Sequence, residues 1–102
     1  MAATAARRLN LPHRVLDNPQ NRRFELSIDA DAIAAAYYRM EAGVLVLIHT
    51  EVPFEYSGAG FATKLANGLF AILRERQQKV APRCGFMANY AVQHPEYSDL
   101  IC

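Results

Sequence analysis

Charge of one sign is scarce in this sequence. Its 102 residues hold 11 Lys and Arg against 10 Asp and Glu, a formal net charge of +1. That balance gives no broad basic surface for tracking a phosphate backbone, so no nucleic-acid partner is expected. Cysteine is scarce too, with Cys84 and Cys102 alone. Two thiols in a chain with no secretory signal suit a reducing, cytoplasmic setting rather than a disulfide scaffold. Long apolar runs are missing. The run Val44 to Ile48 is far too short to cross a bilayer, so no membrane partner is expected. No internal repeat or low-complexity segment is visible. No His/Cys/Asp/Glu spacing suggests a metal site.

What is present is apolar content, 52% of the chain, enough for one folded domain at this length. Residues 1–21 read as an N-terminal arm, poorly ordered. The first residues are rich in Ala and Arg but lack the apolar core of a signal peptide. The domain is expected over 22–102. Phe24, Leu26 and Ile28 alternate with Glu25, Ser27 and Asp29, the period of a half-buried strand. Ala32 to Met40 is ambiguous: its alanines favour helix, while Ile33, Tyr37 and Tyr38 favour strand. Its place between turns makes it a hairpin partner, closed by Glu41-Ala42-Gly43. Val44 to Ile48 reads as a central strand covered on both faces. Pro53 stops regular pairing.

Gly58-Ala59-Gly60 then opens a helix to about Gln78, with Phe61, Leu65, Leu69, Ile72 and Leu73 on one face. Val80 to Met87 reads as a short strand, and Asn89 to Gln93 as a helical turn. The order β-β-β-α-β-α predicts an α/β fold: an antiparallel start, a crossover helix after a glycine loop, a further strand and a short C-terminal helix. A helix start with small residues exposes unpaired backbone N–H groups to phosphate oxygens. Taken alone, a Gly-x-Gly-x-Ala sequence is also a common structural cap. The dinucleotide fingerprint fits worse, because Val80 to Met87 offers no carboxylate for a ribose.

His49-Thr50-Glu51-Val52-Pro53, Gly58-Ala59-Gly60-Phe61-Ala62, Cys84-Gly85-Phe86 and His94-Pro95-Glu96-Tyr97 together resemble the compact GCN-related N-acetyltransferase-like (GNAT-like) proteins. The resemblance runs from Phe24 to Ile101 in order and spacing. It implies a GNAT-like mixed sheet with acetyl-coenzyme A as cosubstrate. The pantetheine arm would pair with backbone near Thr50 and Val52. The pyrophosphate would sit on the loop amides from Gly58 through Ala59, Gly60, Phe61 and Ala62 to Thr63. Many relatives carry arginine beside the loop glycines, where this chain has Ser57 and Ala59, and Glu55 adds an acidic group nearby.

The same resemblance puts Cys84 near the acetyl thioester, as a nucleophile with His49 or His94 as base. The alternative is a buried strand cysteine. Tyr90 resembles the general acid of larger relatives, or else is a core aromatic. Glu51 and His49 share a strand face by period two, able to relay a proton from an amine. The expected function is acetyl transfer from acetyl-coenzyme A to an amine acceptor, a small molecule or a protein. The alternatives are a coenzyme A-binding module without transferase activity and a domain that has lost the ligand.

Overall fold

The computed structural model describes residues 14–102; the first thirteen residues of the expected arm lie outside the described residues. Five strands form one sheet in chain order: β1 (Val15–Asn18), β2 (Arg23–Asp29), β3 (Ala32–Glu41), β4 (Val44–Glu51) and β5 (Val80–Pro82). The first four pair antiparallel, and β5 runs parallel to β4. The crossover between β4 and β5 is α1 (Phe61–Arg76), and α2 (Gly85–Gln93) follows β5. This is the mixed α/β sheet that the pattern predicts. No helix of the described residues is long and apolar enough to cross a membrane.

Four readings change. Residues 15–18 belong to the sheet: β1 lies inside the segment expected as an arm, with Val15 opposite Leu26 and Asn18 opposite Arg23. Its polar Asp17 and Asn18 hide the strand pattern. The strand expected over Val80 to Met87 ends at Pro82, after which Arg83 and Cys84 N–H both turn onto Leu47 O. Gly85 to Gln93 is helix, so Cys84 is the residue before a helix rather than a strand residue. The crossover helix ends at Arg76, two residues early. Gln77 takes the left-handed conformation, and Gln78 N–H closes on Leu73 O at 3.0 Å, a Schellman-type end.

Both helices and one sheet face share a single core of Phe24, Leu26, Ala34, Ala36, Leu45, Leu47, Leu65, Leu69, Phe70, Met87 and their neighbours. Phe61 and Ile72, expected in the apolar face of α1, pack on that core from its margin, and Phe70 is fully buried. The ambiguous alanines are strand. Ala34 and Ala36 are fully buried, so their small side chains let α1 lie close to the sheet. Ala35, Val46 and Ala81 are buried on the opposite face, outside that core.

Gly68 sits mid-helix in α1, where glycine costs about 1 kcal/mol against alanine. A Cβ there would meet Val15 Cγ2 at 2.2 Å, which explains its presence: the helix rides on β1 at the one residue without a side chain. Gly68→Ala is therefore expected to destabilise by about 1–3 kcal/mol through overpacking, against the helix-propensity trend. Denaturant unfolding of Gly68→Ala alone and with Val15→Ala checks this: the second change should recover part of the loss.

Asp17 accepts a 2.7 Å bond from the Tyr38 hydroxyl and pairs with Arg76 at 2.8 Å. Burial, and then that hydrogen bond, push the Tyr38 phenol up to about 12, against an ordinary value of about 10. The folded state holds this proton more tightly, so its contribution to stability is complete below pH 10 and is lost as pH rises from 10 to 12. Phenolate absorbance should show Tyr38 as the last of the five tyrosines to ionise, and Tyr38→Phe should remove that late step.

Candidate functional site

Strand β4 decides what reaches the site. Leu45 and Leu47 face the helices, and strict alternation would send His49 and Glu51 the same way. The register shifts instead: Tyr38 pairs with Leu47, but Tyr37 pairs with His49. Ile48 is thus an extra residue, a β-bulge that turns the remainder of the strand over. Thr50, opposite the core residue Ala36, takes the helix side, followed by Val52. His49 and Glu51 share a face, as period two predicts, but it is the outer face of the sheet. His49 Nε2 lies 3.0 Å from Glu51 Oε2, both side chains more than half exposed. The His49 ring stacks on Tyr37 at 6.0 Å.

The neighbouring strand leaves at the same level. Parallel pairing of β4 with β5 stops at Leu47 and Pro82. Leu47 O receives two last donors, Arg83 N–H at 2.8 Å and Cys84 N–H at 3.2 Å. From there β4 runs on to Glu51 while the chain turns into α2, so a cleft opens between them. At its inner end Thr50 Oγ1 and Cys84 Sγ are in hydrogen-bond contact at 3.3 Å. Cys84 is half-buried and free, as is the exposed Cys102 free.

Beyond Pro53 a short 3-10 turn, Phe54–Tyr56, leads to the glycine loop. Gly60 precedes α1 with φ of 86°, in the left-handed region, and no side chain caps the helix. The first intrahelical donor bond is Lys64 N–H to Gly60 O at 3.0 Å. The amides of Phe61, Ala62 and Thr63 stand at an uncapped helix start. A Cβ at Gly58 or Gly60 would meet nothing within 4 Å, so the space over the loop is open. These residues line a cavity of about 350 Å³ together with Val52, Tyr56, Ser57 and Phe86. Six of the eight residues expected at the cosubstrate, namely Val52, Gly58, Gly60, Phe61, Ala62 and Thr63, meet there. Ala59 lies at the loop apex, its N–H bonded to Tyr56 O at 3.4 Å, and Thr50 stands beside Cys84.

Tyr56 and Phe86 are lining residues that the sequence pattern does not assign to the cosubstrate. The Tyr56 hydroxyl donates to Asp29, tying the loop to the β2–β3 turn. That bond holds the Asp29 carboxyl below its ordinary value and raises the Tyr56 phenol. Phe86 follows from α2 starting at Gly85, which turns its ring to the cleft.

Tyr90 is placed differently from a side chain at a cleft mouth. It is 6% exposed, stacked between Phe70 at 5.1 Å and His94 at 3.8 Å. Its hydroxyl donates to Asn67 Oδ1 at 2.5 Å. Burial, then the nearby Tyr97 and Glu96, raise its phenol. Asn67 lies one helical turn beyond Thr63 and Tyr90 one turn beyond Phe86, so this bond joins α1 to α2 just behind the cavity. His94 Nδ1 sits 2.8 Å from Tyr90 O. No hydrogen bond joins His49 or His94 to Cys84 among the described residues.

The chain can be set against known proteins on this geometry. An NMR solution structure of a GCN5-like chain from Staphylococcus aureus superposes with a TM-score of 0.65 and 23% identity, covering 87% of each chain; that likeness concerns the fold. Protein NATD1 from Mus musculus is 29% identical over 86 residues, 82% of this chain and 78% of its own length. Residues 23–100 match the GCN5-related N-acetyl-transferase family, from β2 through α2 to the C-terminal turn. With the glycine loop, the parted strands and most of the chain inside that match, the protein belongs to the GCN5-related N-acetyltransferase family.

Proposed function

We propose that the protein transfers an acetyl group from acetyl-coenzyme A to an amine. The observation that carries this reading is the junction of two features. An uncapped helix start with an open glycine loop lies against the point where β4 and β5 part. Phosphate oxygens suit the first, since the amides of Phe61, Ala62 and Thr63 and the helix dipole all favour negative charge. An extended, amide-bearing arm suits the second, since β4 beyond Leu47 lacks its parallel neighbour and offers backbone at Thr50 and Val52. The thioester end of such an arm would then lie toward Cys84. The two free cysteines suit a reducing, cytoplasmic setting.

Transfer needs an unprotonated amine nitrogen to attack the thioester carbon, the C–S bond to break, and the leaving thiolate to gain a proton. His49 and Glu51, paired on the outer face at the end of β4, are suited to take the amine's proton. An acceptor would then approach from the side of the sheet opposite the helices. Tyr90 or the Cys84 thiol would supply the proton to the leaving group. In the covalent variant Cys84 Sγ attacks first and carries the acetyl group as a thioester, released to the amine in a second step.

One observation favours a second reading, a coenzyme A-binding module without transfer. The Tyr90 proton is engaged by Asn67 and the ring is enclosed, so an acid at that position must first break a buried bond.

Binding is the first test. Coenzyme A at about 100 times its dissociation constant should stabilise the protein by about 2.7 kcal/mol, a melting shift on the order of 10 °C for a domain of this size. Gly60→Glu should abolish the shift by placing a carboxylate over the loop. Gly60→Ala, which shares the backbone strain without the charge, should keep much of it. A shift of equal size in Gly60→Glu and wild type would move the site elsewhere.

Chemistry is the second test. If Cys84 is the nucleophile, acetyl-coenzyme A without acceptor should add one acetyl mass, mapping to Cys84 and absent from Cys84→Ala. Under direct transfer Cys84→Ala should keep most turnover and Tyr90→Phe should lose more. A wild type that binds coenzyme A, forms no adduct and acetylates no amine would establish the binding module instead.

A further inference from the structure

The loop that would hold phosphate carries no cation of its own. Lys64 is the only Lys or Arg between Val44 and Leu73. It is the fourth residue of α1, directly after Phe61, Ala62 and Thr63, which line the cavity. Its side chain folds back over the Phe61 ring, with Nζ 5.3 Å from the ring centroid. Phe61 lines the cavity, and Tyr56 meets it edge-on at 5.9 Å. The ammonium group is therefore held beside the cavity rather than thrown out along the helix. It has no carboxylate partner among the described residues. The acidic groups of this rim are otherwise disposed: Asp29 is bonded to Tyr56, and Glu55 is exposed on the 3-10 turn.

We propose that Lys64 is a phosphate-pairing residue of this cleft, a side chain that adds positive charge to what the loop amides offer. The inference rests on the coenzyme reading above and deepens it by naming a residue that reading did not use. A compact ammonium on a flexible stem serves as a point charge for a phosphate, swinging from the aromatic face to the ligand. Backbone amides alone fix where a phosphate sits. The cation adds an attraction that salt screens.

Direct binding of coenzyme A and of 3′-dephospho-coenzyme A to wild type, Lys64→Gln and Lys64→Arg tests this at two salt concentrations. Lys64→Gln should weaken coenzyme A about threefold to tenfold, the scale of one partly exposed charge-assisted contact. Lys64→Arg should restore most of the affinity, and the gap between wild type and Lys64→Gln should narrow at high salt. The melting temperatures of the free proteins should agree within a few degrees, as for an exposed substitution. A loss confined to coenzyme A would seat Lys64 on the 3′-phosphate. An equal loss for both ligands would seat it on the pyrophosphate. Unchanged affinity of Lys64→Gln for both ligands, with wild type binding normally, would overturn the proposal. Wild type binding neither ligand would instead bring down the coenzyme reading, and the role of Lys64 with it.

Discussion

The architecture of the site depends on one carbonyl, Leu47 O, at which the parallel ladder between β4 and β5 ends. The ladder stops three pairs after it begins, at Leu47 and Pro82. Were that ladder to continue, the backbone of β4 from Ile48 to Glu51 would be consumed by its neighbour, and α2 could not begin at Gly85. Leu47 O takes the donors of both Arg83 and Cys84, closing the ladder without leaving a buried acceptor bare. The parting of the strands is thus a terminated structure, held at a fixed place, rather than a frayed one.

The bulge at Ile48 acts on the same few residues from the other side. It assigns Thr50 and Val52 to the cleft and His49 and Glu51 to the outer face, so one strand end serves two surfaces. Without the extra residue the His–Glu pair would press into the space beside α1, and the small hydroxyl of Thr50 would be wasted on solvent. Two local departures from regular sheet, one an early end to pairing and one an added residue, separate two chemically different sets of side chains by the thickness of the sheet.

Much of this was legible in the sequence and some was not, for identifiable reasons. β2 and β4 announce themselves by alternation and by an aliphatic run. The glycine loop announces a helix start, and six of eight expected lining residues meet in one cavity. The bulge is invisible because period-two reasoning has no signal for one inserted residue. It preserves the relation of His49 to Glu51 while reversing the face both occupy. β1 escaped notice because it is four residues long and half polar. Only resemblance points to Tyr90 as a site residue. Its partners Phe70, His94 and Asn67 are brought to it only by the docking of α2 on α1, which no local pattern encodes. Cys84 falls inside the strand expected over Val80 to Met87, but the chain turns into α2 from Gly85, a change of direction that no local apolar pattern marks.

The contact of Gly68 with Val15 has a consequence for how relatives of this chain should differ among themselves. The two positions, 53 apart along the chain, share one small volume between the helix and the edge strand. A larger residue at one is compatible with the fold only if the other shrinks, so they behave as a single site whose summed size is fixed. Substitutions at 15 and 68 should therefore be correlated across the family wherever the edge strand is kept. A glycine in the middle of that helix would then serve as a marker, in sequence alone, for the presence of a first strand lying upstream of the region where family resemblance begins.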